Sequence, residues 1–395
     1  MVDDRSRRRA RKGERIARRV ACALGLAIVL QCAAANAVAA DAFVLTVVLH
    51  DDGIELRSAA PAMSIRLQGG TTVADLRDLY AELEDLTLDE ADGRALLEQL
   101  GRDVLGPLAN PIRAADRIEF LVPPDALELP LDALFLDGEP LFLQKPVSFR
   151  LIGDAHASDG AAPRLRSAIV VSDKTADPLR GAFTVGERFP DARIFDVADA
   201  DPSTLRAMDA PDVLLLSVHG FVDGSADDHM ALGGERLDAR GLADIGAPLV
   251  YLDSCRTGVS APFLAALFAG ATRHVVAPVL SNEAGASSAQ TMRAFFDALA
   301  AGADAEQALH ETRRALWHEL AQDELVMRLW RAWPFRLYQP PRPPAAPLGV
   351  CPMEDAPADA AMAFNGRGPA HCGTIDGSLE GAVDRSAPAV SGGSR

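Results

Sequence analysis

The chain has 395 residues, with 39 Lys or Arg against 56 Asp or Glu, a formal net charge of −17. A surface of that sign repels phosphate backbones and anionic lipid head groups, which argues against nucleic acid as a partner.

The N-terminus reads first. Residues 5–19 carry nine basic side chains, residues 20–35 are almost entirely apolar, and ANAVAADAF then offers small residues at cleavage-site spacing. That is the layout of a secretory signal peptide over residues 1–40. The apolar run is short for a spanning helix, which needs about 20 such residues. The expectation is bacterial-type export to a periplasmic or secreted location, with no stable membrane insertion after cleavage. The whole chain carries −17 and this segment +6, so the mature chain carries −23. Cys22 and Cys32 leave with it, and three cysteines remain: Cys255, Cys351 and Cys372. An odd count in an oxidising compartment asks for a reason.

Residues 41–160 read as an accessory α+β lobe. FVLTVVLHDDGIELRS has a β-branched run, an Asp-Asp-Gly turn and a second alternating run, the pattern of a hairpin. TTVADLRDLYAELEDL offers Thr71 and Thr72 as caps and repeats Leu76, Leu79, Leu83 and Leu86 at helical spacing. Short apolar strands between Pro and Asp-Gly turns then run to about Leu151.

Residues 161–340 alternate strand-like and helix-like segments. SAIVVSD, ARIFDVA, DVLLLSV, LVYLDS and RHVVAPVL are the strands; APFLAALFAG, the run from Ala284 to Leu299 and AEQALHETRRALWHEL are the helices. Apolar strands separated by helices imply an α/β fold whose mostly parallel sheet is buried on both faces. Residues 341–395, rich in Pro, Ala, Gly and Ser, lack apolar periodicity and read as a mostly disordered tail. Cys351 and Cys372 lie 21 residues apart in it and are expected to form a disulfide, leaving Cys255 as a thiol.

In parallel sheets, functional groups collect at the carboxyl ends of strands. DVLLLSV runs into His219-Gly220, and LVYLDS runs into Cys255. If those strands are neighbours, an imidazole and a thiol share one crevice. Such a pair suits attack by sulfur on a carbonyl, because the imidazole helps form the thiolate or protonates the leaving amine. Gly220 lets a carbonyl oxygen approach its N–H, which with that of Cys255 forms an oxyanion hole. Against this stands the plain alternative of an inert buried cysteine beside a His-Gly turn.

At these residues the chain resembles the caspase-like cysteine peptidases, and within them the CHAT domain. VPPDALELPLDAL with DGEPLF, DPLRGAFTVGERFP, LLLSVHG, LVYLDSCRTG, GATRHVVAPV and LWRAWPFRLYQ follow the family's order over about residues 120–340. The resemblance implies a caspase-like three-layer αβα sandwich, with His219 as general acid/base and Cys255 as nucleophile. Departures exist: helical repeats are not seen, PVLSNEAG lacks the family's common tryptophan, and DPLRGAF is followed by Val185 and Gly186 where a Glu is usual. Asp253 replaces the usual small residue two before the cysteine, and Asp-Ser-Cys is similar to metacaspases, where that Asp binds a basic side chain. Strand alternation would put Asp253 on the face of Cys255; the alternative is a carboxylate satisfied by backbone groups of a neighbouring loop, with no part in binding.

The expected function is therefore an exported cysteine endopeptidase acting on a protein or peptide substrate, with cleavage after a basic residue implied by Asp253. The alternative is an inactive caspase-like interaction module. No cofactor is expected. Asp227, Asp228 and His229 lack regular metal-ligand spacing and read as a solvated loop. His310, Glu311, Arg313 and Arg314 read as an exposed helix face, and His274 as a capping or surface residue.

Overall fold

The computed structural model describes residues 42–51, 53–67, 72–153, 165–225, 227–281 and 285–342, all within the unit Met1–Leu348. The expected signal segment, Cys351, Cys372 and the tail beyond Arg342 lie outside the described residues.

The first strands form as their patterns predict. β1 (Ala42–His50) and β2 (Gly53–Ala59) pair antiparallel with His50 opposite Gly53, and β3 (Ala62–Arg66) extends the hairpin. Helix α1 (Val73–Glu84) begins at a capping box, in which Thr72 and Asp75 each satisfy the other's backbone N–H. Its Leu76, Leu79 and Leu83 are buried, whereas Leu86 lies past the helix end and is exposed. Helix α2 (Glu90–Val104), capped by Asp89, and α3 (Ala109–Ala114) lie beyond the elements expected from periodicity. β4 (Arg117–Val122), the short pair β5 (Phe135–Leu136) and β6 (Glu139–Pro140), α4 (Leu141–Gln144) and β7 (Val147–Ile152) follow.

The second half alternates as expected. It runs β8 (Ser167–Ser172), α5 (Gly181–Gly186), β9 (Asp191–Asp196), α6 (Pro202–Arg206) and β10 (Val213–Ser217). A small antiparallel sheet interrupts it, made of β11 (Gly220–Phe221), β12 (His229–Leu232) and β13 (Glu235–Asp238). Then come α7 (Ala239–Ala243), β14 (Leu249–Asp253), α8 (Ala261–Ala269), β15 (His274–Pro278), α9 (Ala286–Ala300), α10 (Ala305–Glu319), α11 (Leu325–Ala332) and β16 (Phe335–Arg342).

Eleven described strands make one sheet in the order β3-β2-β1-β4-β7-β16-β15-β14-β10-β8-β9. β15, β14, β10, β8 and β9 run parallel to one another, and β16, β7, β4 and β1 form a second parallel group. The groups meet at the antiparallel pair β15–β16. Residues 42–152 thus build one side of the sheet that carries the two strand ends.

Alternation along the central strands buries both faces. Val213, Leu215, Leu249 and Tyr251 pack with Phe295 of α9 and Leu309 of α10, while Leu214, Leu216, Val250 and Leu252 join the core containing Phe263 and Leu267 of α8. This is the three-layer αβα arrangement.

A buried charged network sits at the seam of the two groups. Asp132 accepts from Arg336 at 2.7 Å and from Arg313 at 3.2 Å, and Arg336 also donates to the Leu127 and Leu129 carbonyls. Burial pushes Asp132 upward, but the charges of Arg336 and Arg313 outweigh it and leave its carboxyl lowered. Burial also lowers Arg313 to about 10. The exposed helix face expected over residues 310–314 is therefore corrected. Glu311 and Arg314 are exposed, but His310 and Arg313 are buried, because the 127–142 segment covers that side of α10.

Candidate active site

The two strand ends are neighbours. β10 and β14 pair in parallel with Ser217 opposite Asp253, so His219 and Cys255 each lie two residues beyond one matched pair. The Ser254 hydroxyl ties the ends together by donating to the Val218 carbonyl at 2.7 Å. Gly220 packs directly on the cysteine: a Cβ there would sit 2.9 Å from the Cys255 carbonyl oxygen and 3.2 Å from its nitrogen. Glycine is required by this contact, since any side chain would force the two ends apart.

The ladder of the small sheet bears on the Gly220 N–H. Ala231 N–H donates to the His219 carbonyl at 3.0 Å, and Gly220 lies opposite Met230. Bonded and non-bonded pairs alternate along antiparallel strands, so Gly220 falls in a non-bonded pair and its N–H points out of the β11–β12 ladder.

His219 is exposed, and its Nε2 lies 2.8 Å from the Thr175 hydroxyl. That hydroxyl donates to Asp173 at 2.7 Å, so it accepts from the imidazole and fixes the proton on Nε2. Thr175 was not among the expected site residues. Its signal is a third strand end: SAIVVSD stops just before it, and β8 pairs with β10.

Cys255 is half-buried and is a thiol in the structure. It lines a cleft of about 520 Å³ together with Gly220, Phe221, Asp223, Arg256 and Glu84. The following helix α8 starts at its Ser260 cap, a turn beyond the thiol as the sequence implies, so its dipole acts weakly on the sulfur.

Asp253 lies elsewhere. Its carboxylate is buried and accepts from Ser217 at 2.5 Å and from Ser288 of α9 at 2.7 Å. β14 ends at Asp253, so the alternation that would set it on the face of Cys255 does not extend to the cysteine. Cys255 and Gly220 border the cleft; Asp253 does not, and neither does the expected partner His219, which lies at the adjoining strand end. Burial, then the charge of Asp253, pushes the neighbouring Tyr251 phenol well above its ordinary value.

The loop at Asp227–His229 is only partly solvated, a correction to the expected reading. Asp227 is exposed, but Asp228 is buried, accepting from the Asp223 and Gly224 N–H groups and from Ser260 at 2.5 Å. The His229 ring stacks on Phe221 with centroids 5.0 Å apart. No metal-binding group of acidic, His or Cys side chains occurs among the described residues. His274 opens β15, and burial lowers its pKa.

No curated protein matches the chain. Among protein families, its residues 94–348 match the CHAT domain, beginning within the N-terminal lobe and reaching past β16. More than half of the chain is covered, and the αβα sheet with its two site-bearing strands agrees with that match: the chain belongs to the CHAT domain family, a caspase-like fold related to cysteine peptidases.

Proposed function

We propose that the chain is an exported cysteine endopeptidase acting on a protein or peptide substrate. The observation that carries this reading is the adjacency of His219-Gly220 and Cys255 at the ends of two paired parallel strands. In the proposed step the Cys255 thiolate attacks the peptide carbonyl, forming a C–S bond, and the carbonyl electrons move to oxygen. The N–H groups of Gly220 and Cys255 hold that oxyanion. The C–N bond then breaks as His219 passes a proton to the leaving amine. Water, deprotonated by His219, attacks the thioester and releases the acid and the thiol.

Cleavage after a basic residue rests on Asp253. A guanidinium would have to compete with the Ser217 and Ser288 hydroxyls for its oxygens. Export rests on residues 1–40, and the Cys351–Cys372 disulfide on their spacing. The second reading is an inactive interaction module, favoured by Phe221, which is 54 % exposed at the cleft.

The test compares new protein N-termini in cells carrying wild type or Cys255→Ala. Cleavages present only with wild type, preceded by Arg or Lys, are expected. Identical sets of N-termini would favour the module, and cleavages without a basic preference would remove the role of Asp253.

A further inference from the structure

Helix α1 lies before the family match, which starts at residue 94, yet it reaches the cleft. Tyr80 is 5 % exposed, and its hydroxyl donates to the Val279 carbonyl at 2.6 Å. Burial pushes that phenol up to about 12, so it stays protonated and keeps donating at neutral pH. Glu84, at the last position of α1, accepts the Ser281 N–H at 2.8 Å and the Ser281 hydroxyl as well. Two side chains one helical turn apart thus hold alternate residues of the segment that leaves β15.

The same segment reaches the cysteine. Arg256 N–H donates to the Leu280 carbonyl at 3.2 Å, and its guanidinium pairs with Glu128 at 3.1 Å and lies 6.0 Å from the Tyr80 ring centroid. Arg256 has a left-handed backbone, φ 57°, immediately after Cys255. That conformation is costly for a residue with a side chain and persists only when neighbours hold it. Glu84, Ser281, Cys255 and Arg256 all line the one cleft.

We infer that Tyr80 and Glu84 are positioning residues for peptide recognition: α1 clamps residues 279–281, and through Leu280 and Arg256 sets the cleft wall beside the thiol. The accessory lobe is then a built part of the site. This deepens the peptidase reading and rests on it for the word recognition, whereas the clamp itself stands on the contacts alone.

The experiment uses the full chain and Glu84→Ala, with Glu84→Gln as the milder variant that keeps one acceptor. Alanine suits a helix end, so folding is retained, as circular dichroism would verify. Two rates are measured for Cys255: alkylation by iodoacetamide, which needs only the thiol, and labelling by a peptidyl electrophile, which needs the cleft. Hydrogen exchange over residues 279–281 reads the clamp directly. Glu84→Ala is expected to slow peptidyl labelling by roughly tenfold or more, as for one lost charge-assisted hydrogen bond, and to leave iodoacetamide within about twofold. Exchange over 279–281 is expected to accelerate, with Glu84→Gln intermediate. Unchanged exchange would overturn the clamp, and equal loss of both labelling rates would overturn the positioning role. If wild type itself takes iodoacetamide but no peptidyl probe, the peptidase reading falls while the exchange result still judges the clamp.

Discussion

Two polar constellations sit on the same sheet and are built in opposite ways. At the β15–β16 seam, Asp132, Arg313 and Arg336 are buried, and their charges are met by one another and by backbone carbonyls. At the β10 and β14 ends, His219 is exposed and Cys255 is half-buried in a cleft, while the residues behind them are buried and hydrogen-bonded. The difference is the one expected between a polar group that holds a fold and, on the proposed function, one that meets a substrate. A structural network is buried among its own partners, whereas a reacting group needs support from behind and access in front.

The largest expected effect breaks the closed side. Asp132→Ala leaves two buried guanidinium groups without their carboxylate, and stability should fall by about 3–5 kcal/mol in chemical denaturation. A loss below about 1 kcal/mol would mean that the carbonyls alone satisfy the arginines, and the contrast with the open site would weaken.

A smaller effect sharpens the open side. Thr175→Val keeps the shape but removes the oxygen that accepts from His219 Nε2. Peptide cleavage should drop by roughly tenfold and its pH profile should move, while the thermal midpoint stays nearly constant. A fall in the midpoint with no change in the profile would place Thr175 with the structural groups instead.

The smallest effect concerns His310, buried on α10 with its Nδ1 3.0 Å from the Phe142 carbonyl. Burial lowers its pKa in the fold. Below about pH 6.5 the unfolded chain therefore binds a proton that the folded chain resists, so stability is full above that pH and declines as pH falls. His310→Gln should flatten the decline between roughly pH 7 and 5 in thermal melts, and an unaltered slope would assign it to other groups, His274 among them.

Much of the fold was legible because the strands are long apolar runs and the helices carry caps: Thr72 for α1, Ser260 for α8 and Asp304 for α10. The adjacency of the His219 and Cys255 strand ends was legible because each residue follows such a run. What stayed hidden depends on partners distant in the chain. Arg313 looked like a surface charge until Asp132, 181 residues away, covered it. Asp228 looked solvated until Ser260 and two backbone N–H groups claimed its oxygens. Asp253 followed a correct periodicity one step too far, since alternation holds within a strand and this one ends at that residue. Tyr80 and Glu84 sit in an ordinary amphipathic helix, and nothing local in its pattern announces that its last turn borders a cleft.

The central claim is that His219 activates Cys255, and thiol reactivity against pH tests it most directly. Wild type should react with a peptidyl electrophile well below pH 8, with labelling abolished in Cys255→Ala and shifted to higher pH in His219→Ala. Labelling that appears only above about pH 8.5, the range of an ordinary thiol, and is indifferent to His219→Ala would contradict it.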